Sequence, residues 1–148
     1  MINPKTDCHC HILPGLDDGS GSLEESVALA RRQVSWGFSK AVCTSHRVGK
    51  YPNVPEDEIK RLLDMGYQPV LAHPERYMYL DMERYHSLKD TGALFQRNVG
   101  SLEGLYGEAV SVRCEALLAE DLFDIIGTDL HSERYADFFD GFGFLNIF

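Results

Sequence analysis

No stretch of this 148-residue chain approaches the ~18 consecutive apolar residues that a membrane-spanning helix needs. The N-terminus lacks the basic-then-apolar order of a secretory signal. Basic residues are scarce: 14 Lys and Arg stand against 23 Asp and Glu, a net charge of −9. That balance argues against nucleic acid and anionic lipid as partners, because both reward clustered positive charge. Cysteine is sparse too. Only four are present, and Cys8 and Cys10, one residue apart in an apolar run, do not make a disulfide framework. A cysteine-nucleophile phosphatase also needs an arginine closing a phosphate loop at a fixed spacing; Arg47 follows Cys43 too closely, and no other cysteine fits. Low-complexity segments and long repeats are missing. The expectation is a single cytoplasmic domain over residues 1–148, without a membrane span.

Short apolar strands alternate with amphipathic helices along the chain. Thr6 to Ile12, Lys40 to Ser45, Gln68 to Ala72, Ala93 to Val99 and Leu122 to Thr128 read as strands. A capping box, Ser22-Leu23-Glu24-Glu25, opens a helix with Leu23, Val27, Ala30 and Val34 at helical spacing, closed by Gly37. Further helices are expected from Pro55 to Met65, Asp81 to Thr91 and Glu108 to Glu120. This alternation predicts an α/β protein with a mainly parallel sheet. A closed eightfold barrel takes ~250 residues at ~30 per unit, which leaves room here for about five units. Residues 138–148 hold a dense aromatic stretch, Phe138 to Phe148, read as a buried tail standing in for a missing final helix.

What is present in abundance at strand ends is metal-binding chemistry. Asp7-Cys8-His9-Cys10-His11 places His9 and His11 at i, i+2, so a regular strand puts both, with Asp7, on one face. Cys8 and Cys10 then point into the strand–helix layer. His46, His73, and Asp129 with His131 also fall at or just beyond strand C-termini. In parallel α/β folds, that edge is where sites assemble. Five of the six histidines obey the rule; His86, inside a helix, does not. Neutral imidazoles with nearby carboxylates suit a divalent cation. Asp17 and Asp18 precede Gly19 on the same rim, and Asp18 is the chosen ligand. Arg76 and Arg134 lie beside the cluster, where guanidinium forks suit phosphate oxygens.

These residues carry a specific resemblance. His9-Cys10-His11-Ile12-Leu13-Pro14-Gly15, Asp17-Asp18-Gly19, Leu23-Glu24-Glu25-Ser26, Thr44-Ser45-His46, Gly66 through His73-Pro74-Glu75-Arg76-Tyr77, Asn98 through Leu102, and Gly127-Thr128-Asp129-Leu130-His131 resemble the bacterial tyrosine-protein phosphatases of the PHP (polymerase and histidinol phosphatase) superfamily. Those enzymes act with capsular and exopolysaccharide biosynthesis tyrosine kinases. The resemblance implies an incomplete PHP-type distorted (β/α) barrel of about five parallel strands with flanking helices. It implies two or three divalent metals at the barrel mouth, manganese foremost, with iron or zinc as alternatives. His9, His11, Asp18, His46, His73, Asp129 and His131 become metal-site residues, with Arg76 and Arg134 as phosphate-contacting catalytic residues.

The chain departs from that pattern between His46 and the His-Pro-Glu-Arg motif. Only Arg47 to Pro55 stands where relatives carry further strand–helix units and metal-bridging glutamates. The expected activity is metal-dependent hydrolysis of phosphotyrosine on a protein, such as a bacterial tyrosine kinase tail. Two alternatives stay open: a non-catalytic relic that binds metal or a partner, and a small-molecule phosphatase of histidinol-phosphatase type. Open strand edges in a shortened barrel predict a homo-oligomer.

Overall fold

The computed structural model describes residues 5–44 and 55–142. Its elements run β1 (Thr6–Cys10), α1 (Leu23–Ser35), β2 (Lys40–Cys43), α2 (Pro55–Asp64), β3 (Val70–Ala72), α3 (Met82–Asp90), β4 (Leu94–Asn98), α4 (Glu108–Ala119), β5 (Ile125–Gly127) and α5 (Glu133–Phe142). Single 3-10 turns, Pro74–Arg76 and Val99–Ser101, follow β3 and β4. Among the described residues every strand pairing is parallel: β1 with β2, β3 with β4, and β4 with β5. The two sheets meet where the end of β1 runs beside the residues just after β5: Cys10 bridges Leu130 and the Asp129 amide donates to the His9 carbonyl at 2.8 Å. The strands therefore lie in the order β2-β1-β5-β4-β3. Among the described residues no pairing joins β2 to β3. No helix among them is long and apolar enough to cross a membrane.

The helices start and stop for local reasons. Ser22 Oγ accepts from the Glu25 amide at 3.1 Å, and the Glu25 carboxylate reaches back to the Gly21 amide at 2.8 Å, a capping box that satisfies two orphan donors. At α3 the Asp81 carboxylate accepts from the Arg84 amide at 3.0 Å, a single N-cap bond. Two apolar clusters flank the sheet. One joins Cys10, Leu29, Trp36, Phe38 and Phe139; the other joins Ile59, Leu80, Tyr85, Leu88, Phe95 and Leu117. Full burial of a side chain such as Leu or Phe contributes roughly 1.5–3 kcal/mol, so these clusters anchor α1, α3, α4 and α5 on the strands.

Three expectations need correction. On α1 the buried residues are Ser26, Leu29 and Gln33, whereas Leu23, Val27 and Val34 are exposed. The polar pair faces inward because it has buried partners: Ser26 Oγ meets Ser20 Oγ at 2.9 Å, and Gln33 Nε2 donates to Asp7 at 2.6 Å. The aromatic stretch is not a tail from residue 138. Phe138 and Phe139 belong to α5, the last helix among the described residues, and Phe139 is buried edge-on against Trp36 at 5.5 Å. Residues 143–148 lie outside the described residues.

The third correction concerns β1. Asp7 pairs with Ala41 but Cys10 pairs with Cys43, so one extra residue is inserted on β1, a bulge that breaks strict alternation. Asp7 thereby turns away from the histidines. Its carboxylate accepts from the Thr128 amide (2.9 Å), Thr128 Oγ1 (2.6 Å), Gln33 Nε2 and the His9 amide (3.1 Å). Cys10 enters the strand–helix layer as expected, but Cys8 instead lines a hollow with Val42, Val70 and Ile125.

Candidate metal centre

The C-terminal ends of the strands bring their side chains to one rim. β1 delivers His9 and leads into His11, β2 leads into Thr44, β3 into His73, and β5 into Asp129 and His131. With Arg76 these residues line a pocket of about 670 Å³. The backbone is strained at two of them. His73 has φ 38° and Asp129 φ 57°, left-handed values rarely adopted by residues with a side chain, and such strain concentrates at functional sites.

Three histidines share one hydrogen-bonding plan. His11 Nδ1 lies 2.8 Å from Asp17 Oδ2, His9 Nδ1 lies 3.1 Å from Thr44 Oγ1, and His131 Nδ1 lies 2.6 Å from the Asp129 carbonyl oxygen. With Nδ1–H donating to each partner, a tautomer assigned from the partners, Nε2 carries the free lone pair on every ring. The Nε2 atoms of His9 and His11 are 3.2 Å apart. They lie 3.1 and 3.4 Å from Asp129 Oδ1. Lone pairs converging on a carboxylate oxygen need a positive charge among them, either a proton or a cation.

Among the described residues, potential ligand atoms within 4.8 Å of one another fall into three groups: His9, His73 and Asp129; His11, Asp129 and His131; and His11, Asp17 and Asp18. Asp129 belongs to two of them. The donor set of imidazole nitrogens and carboxylate oxygens fits a divalent cation. His73 Nδ1, buried and without a hydrogen-bond partner, fits as well, since an unsatisfied buried polar atom is costly unless something meets it.

The electrostatics follow the same plan. Burial alone would raise the Asp129 carboxyl, but without a cation a proton on the facing Nε2 atoms lets His11 and His9 hydrogen-bond it, and with the neighbouring His73 they hold it well below the usual carboxylate range. Burial would lower His11, but Asp129 and Asp17 outweigh it and raise that imidazole. At His73 burial wins over the pull of Asp129, and the imidazole is pushed down to about 4. His73 is therefore neutral at neutral pH, the state that binds a cation.

The other oxygen of Asp129, Oδ2, accepts from Asn98 Nδ2 (2.7 Å), Arg76 Nη1 (3.0 Å) and the Tyr106 hydroxyl (3.0 Å). Arg76 is held there by the turn after β3. Glu75 in that turn is buried and accepts from the Asn98 amide and Ser101 Oγ, which ties the turn to the end of β4. Of the two candidate aspartates, Asp17 is the one turned inward, onto His11 and the Gly19 amide. Asp18 is exposed and stands 3.6 Å from His131 Nε2. Arg134 does not join the cluster: it is exposed and lines a separate pocket with Leu105, Asp137 and Phe138. The helical turn that begins at Glu133 carries it past the rim. His46 lies outside the described residues.

Sequence reasoning missed Asn98 and Tyr106. Asn98 ends β4 as the histidines end their strands, so the strand-end rule extended to amides would have found it. Tyr106, in the turn before α4, carried no such signal.

Two overlapping stretches, residues 5–63 and 49–137, match the family described as capsular polysaccharide synthesis, CpsB/CapC. Tyrosine-protein phosphatase YwqE of Bacillus subtilis (strain 168) is 25% identical over 201 residues, covering 89% of this chain and 79% of YwqE. The putative tyrosine-protein phosphatase CapC of Staphylococcus aureus is 24% identical over 195 residues, with 85% and 76% covered. Both alignments are longer than the chain itself, so these relatives carry residues this chain lacks. A structure solved in work on YwqE of B. subtilis and CpsB of Streptococcus pneumoniae, described as metal-dependent tyrosine phosphatases, shares the fold. Its TM-score is 0.74 at 24% identity, over 88% of this chain and 81% of that one.

Proposed function

The chain belongs to the capsular polysaccharide synthesis CpsB/CapC family, and from that premise we propose that it is a metal-dependent tyrosine-protein phosphatase serving capsule or exopolysaccharide synthesis. The observation that carries the reading is Asp129 Oδ1 facing the Nε2 atoms of His9 and His11, with His73 and His131 in reach of the same carboxylate. His9, His73 and Asp129 would hold one cation, and His11, Asp129 and His131 another, with Asp129 common to both. Asp18 stands at the edge of the second group. Divalent cations, manganese in this proposal, supply Lewis acidity and a hydrolytic nucleophile near neutral pH.

The chain's own residues do the rest. Asp17, Thr44 and the Asp129 carbonyl orient the imidazoles, so that each ring turns Nε2 inward. Arg76 borders the same pocket, where its remaining N–H groups can bind phosphate oxygens and steady the charge that builds on them in the transition state. A phenolate, whose conjugate acid has a pKa of about 10, departs with little protonation. Tyr77 and Tyr135, which also line the pocket, offer aromatic walls to the substrate's ring.

We also propose self-association through β2. Its outer edge meets no strand among the described residues, and Lys40, Ala41 and Val42 are exposed. Sedimentation of a single monomeric species at micromolar concentration would contradict this.

The activity is tested with purified chain, Mn²⁺ and an aryl phosphate. Turnover is expected for wild type and its loss for His73→Ala. Failure of wild type to hydrolyse the ester across Mn²⁺ concentrations would overturn the enzymatic reading.

A further inference from the structure

We propose that Tyr106 is a positioning residue that couples cation binding to phosphate binding, by holding Asp129 with its hydroxyl and Arg76 with its ring. The inference rests on the metal-dependent reading above.

Tyr106 occupies the turn between β4 and α4. The Leu105 amide donates to Gly100 and the Gly107 amide to Gly104, both at 3.0 Å, so the residue is held by backbone on either side. Its hydroxyl lies 3.0 Å from Asp129 Oδ2 and 3.1 Å from Asn98 Nδ2. The hydroxyl has one proton to give, and Asn98 can only donate through Nδ2. Tyr106 therefore donates to Asp129 and accepts from Asn98. Burial and the neighbouring Asp129 carboxylate raise this phenol above its usual value, so it keeps the proton it donates.

Three donors on Oδ2 fix the carboxylate's rotation. Oδ1 is then committed to the Nε2 atoms of His9 and His11. The ring performs a second task. The Arg76 guanidinium carbon lies 4.7 Å from the Tyr106 ring centroid, a cation–π distance. Aromatic contact and the bond to Asp129 together restrict a side chain that is otherwise 39% exposed. A guanidinium held this way presents its remaining N–H groups to a phosphate with less ordering still to be done.

The two tasks reside on different atoms and are separable by substitution. Tyr106→Phe removes the hydroxyl and keeps the ring; Tyr106→Leu removes both. The experiment is calorimetric titration of wild type and both variants with Mn²⁺ alone, then of the Mn²⁺-saturated proteins with inorganic phosphate. KM and kcat are measured on an aryl phosphate in parallel, and thermal unfolding checks that each variant is folded. Tyr106→Phe is expected to weaken Mn²⁺ binding roughly 10- to 100-fold, the usual effect of losing a partner that orients a ligand, while phosphate binding at saturating Mn²⁺ stays near wild type. Tyr106→Leu is expected to lose Mn²⁺ affinity similarly and, in addition, to bind phosphate roughly two- to fivefold more weakly and raise KM in proportion. Wild-type Mn²⁺ affinity in Tyr106→Phe, or equal phosphate affinity in the two variants, overturns the coupling role. Absence of Mn²⁺ binding by wild type overturns instead the metal-dependent reading on which it rests.

Discussion

Gly127 stands directly behind His9. A β-carbon at residue 127 would lie 2.4 Å from His9 Cβ and 2.9 Å from both the His9 amide nitrogen and Gln96 Nε2. The obstacle is largely backbone-proximal, so a rotamer change cannot relieve it. Strand β5 can approach β1 closely only because residue 127 has no side chain. Gly127→Ala is expected to destabilise the fold by about 1–3 kcal/mol, as overpacking does, and to weaken Mn²⁺ binding because His9 must shift. Urea denaturation and Mn²⁺ titration of the variant check the two effects separately.

Asp7 is expected to behave as a structural residue despite its place in the opening motif. Its carboxylate satisfies four donors, from Thr128, Gln33 and His9. Asp7→Ala leaves them buried and unmet, with an expected cost of roughly 3–5 kcal/mol. Urea denaturation should detect that loss directly. A variant as stable as wild type that had lost only Mn²⁺ binding would return Asp7 to the ligand set.

The stability of the metal-free protein should depend on pH through His73. Its folded value, about 4, lies below the unfolded value of about 6.5. Between these values the unfolded chain binds more protons, so stability falls as pH drops from about 6.5 to about 4. The depressed Asp129 carboxyl adds a loss of the same sign at lower pH, as it too becomes protonated through folded and unfolded ranges. Thermal midpoints in EDTA across this window should decline for wild type and decline less for His73→Asn. A flat profile would contradict the burial assigned to this imidazole.

Much of the site was legible because parallel strands end at one rim, so residues distant in sequence share a predictable edge. His9, His11, His73, Asp129 and His131 all came from that rule. The rule failed where a partner lies elsewhere in the chain. The inward face of α1 is set by Ser26 and Gln33, which answer Ser20 and Asp7, and apolar spacing through Leu23, Val27 and Val34 pointed to the solvent side. The bulge in β1 left no mark in an evenly alternating run, so Asp7 was placed with the histidines. Helix α5 was hidden by a phenylalanine-rich composition, although Ala136 and Phe139 sit three apart on its buried side. Asp17 and Asp18 are adjacent and chemically identical; only the turn that directs Asp17 onto His11 distinguishes them.

Mn²⁺ bound per chain, measured on wild type and Asp129→Ala after equilibrium dialysis with circular dichroism confirming that both are folded, tests the metal centre most directly. Retention of Mn²⁺ by wild type and its loss from Asp129→Ala is the result expected of a carboxylate common to two groups of ligands. Equal retention by the two proteins, or none by wild type, would contradict it.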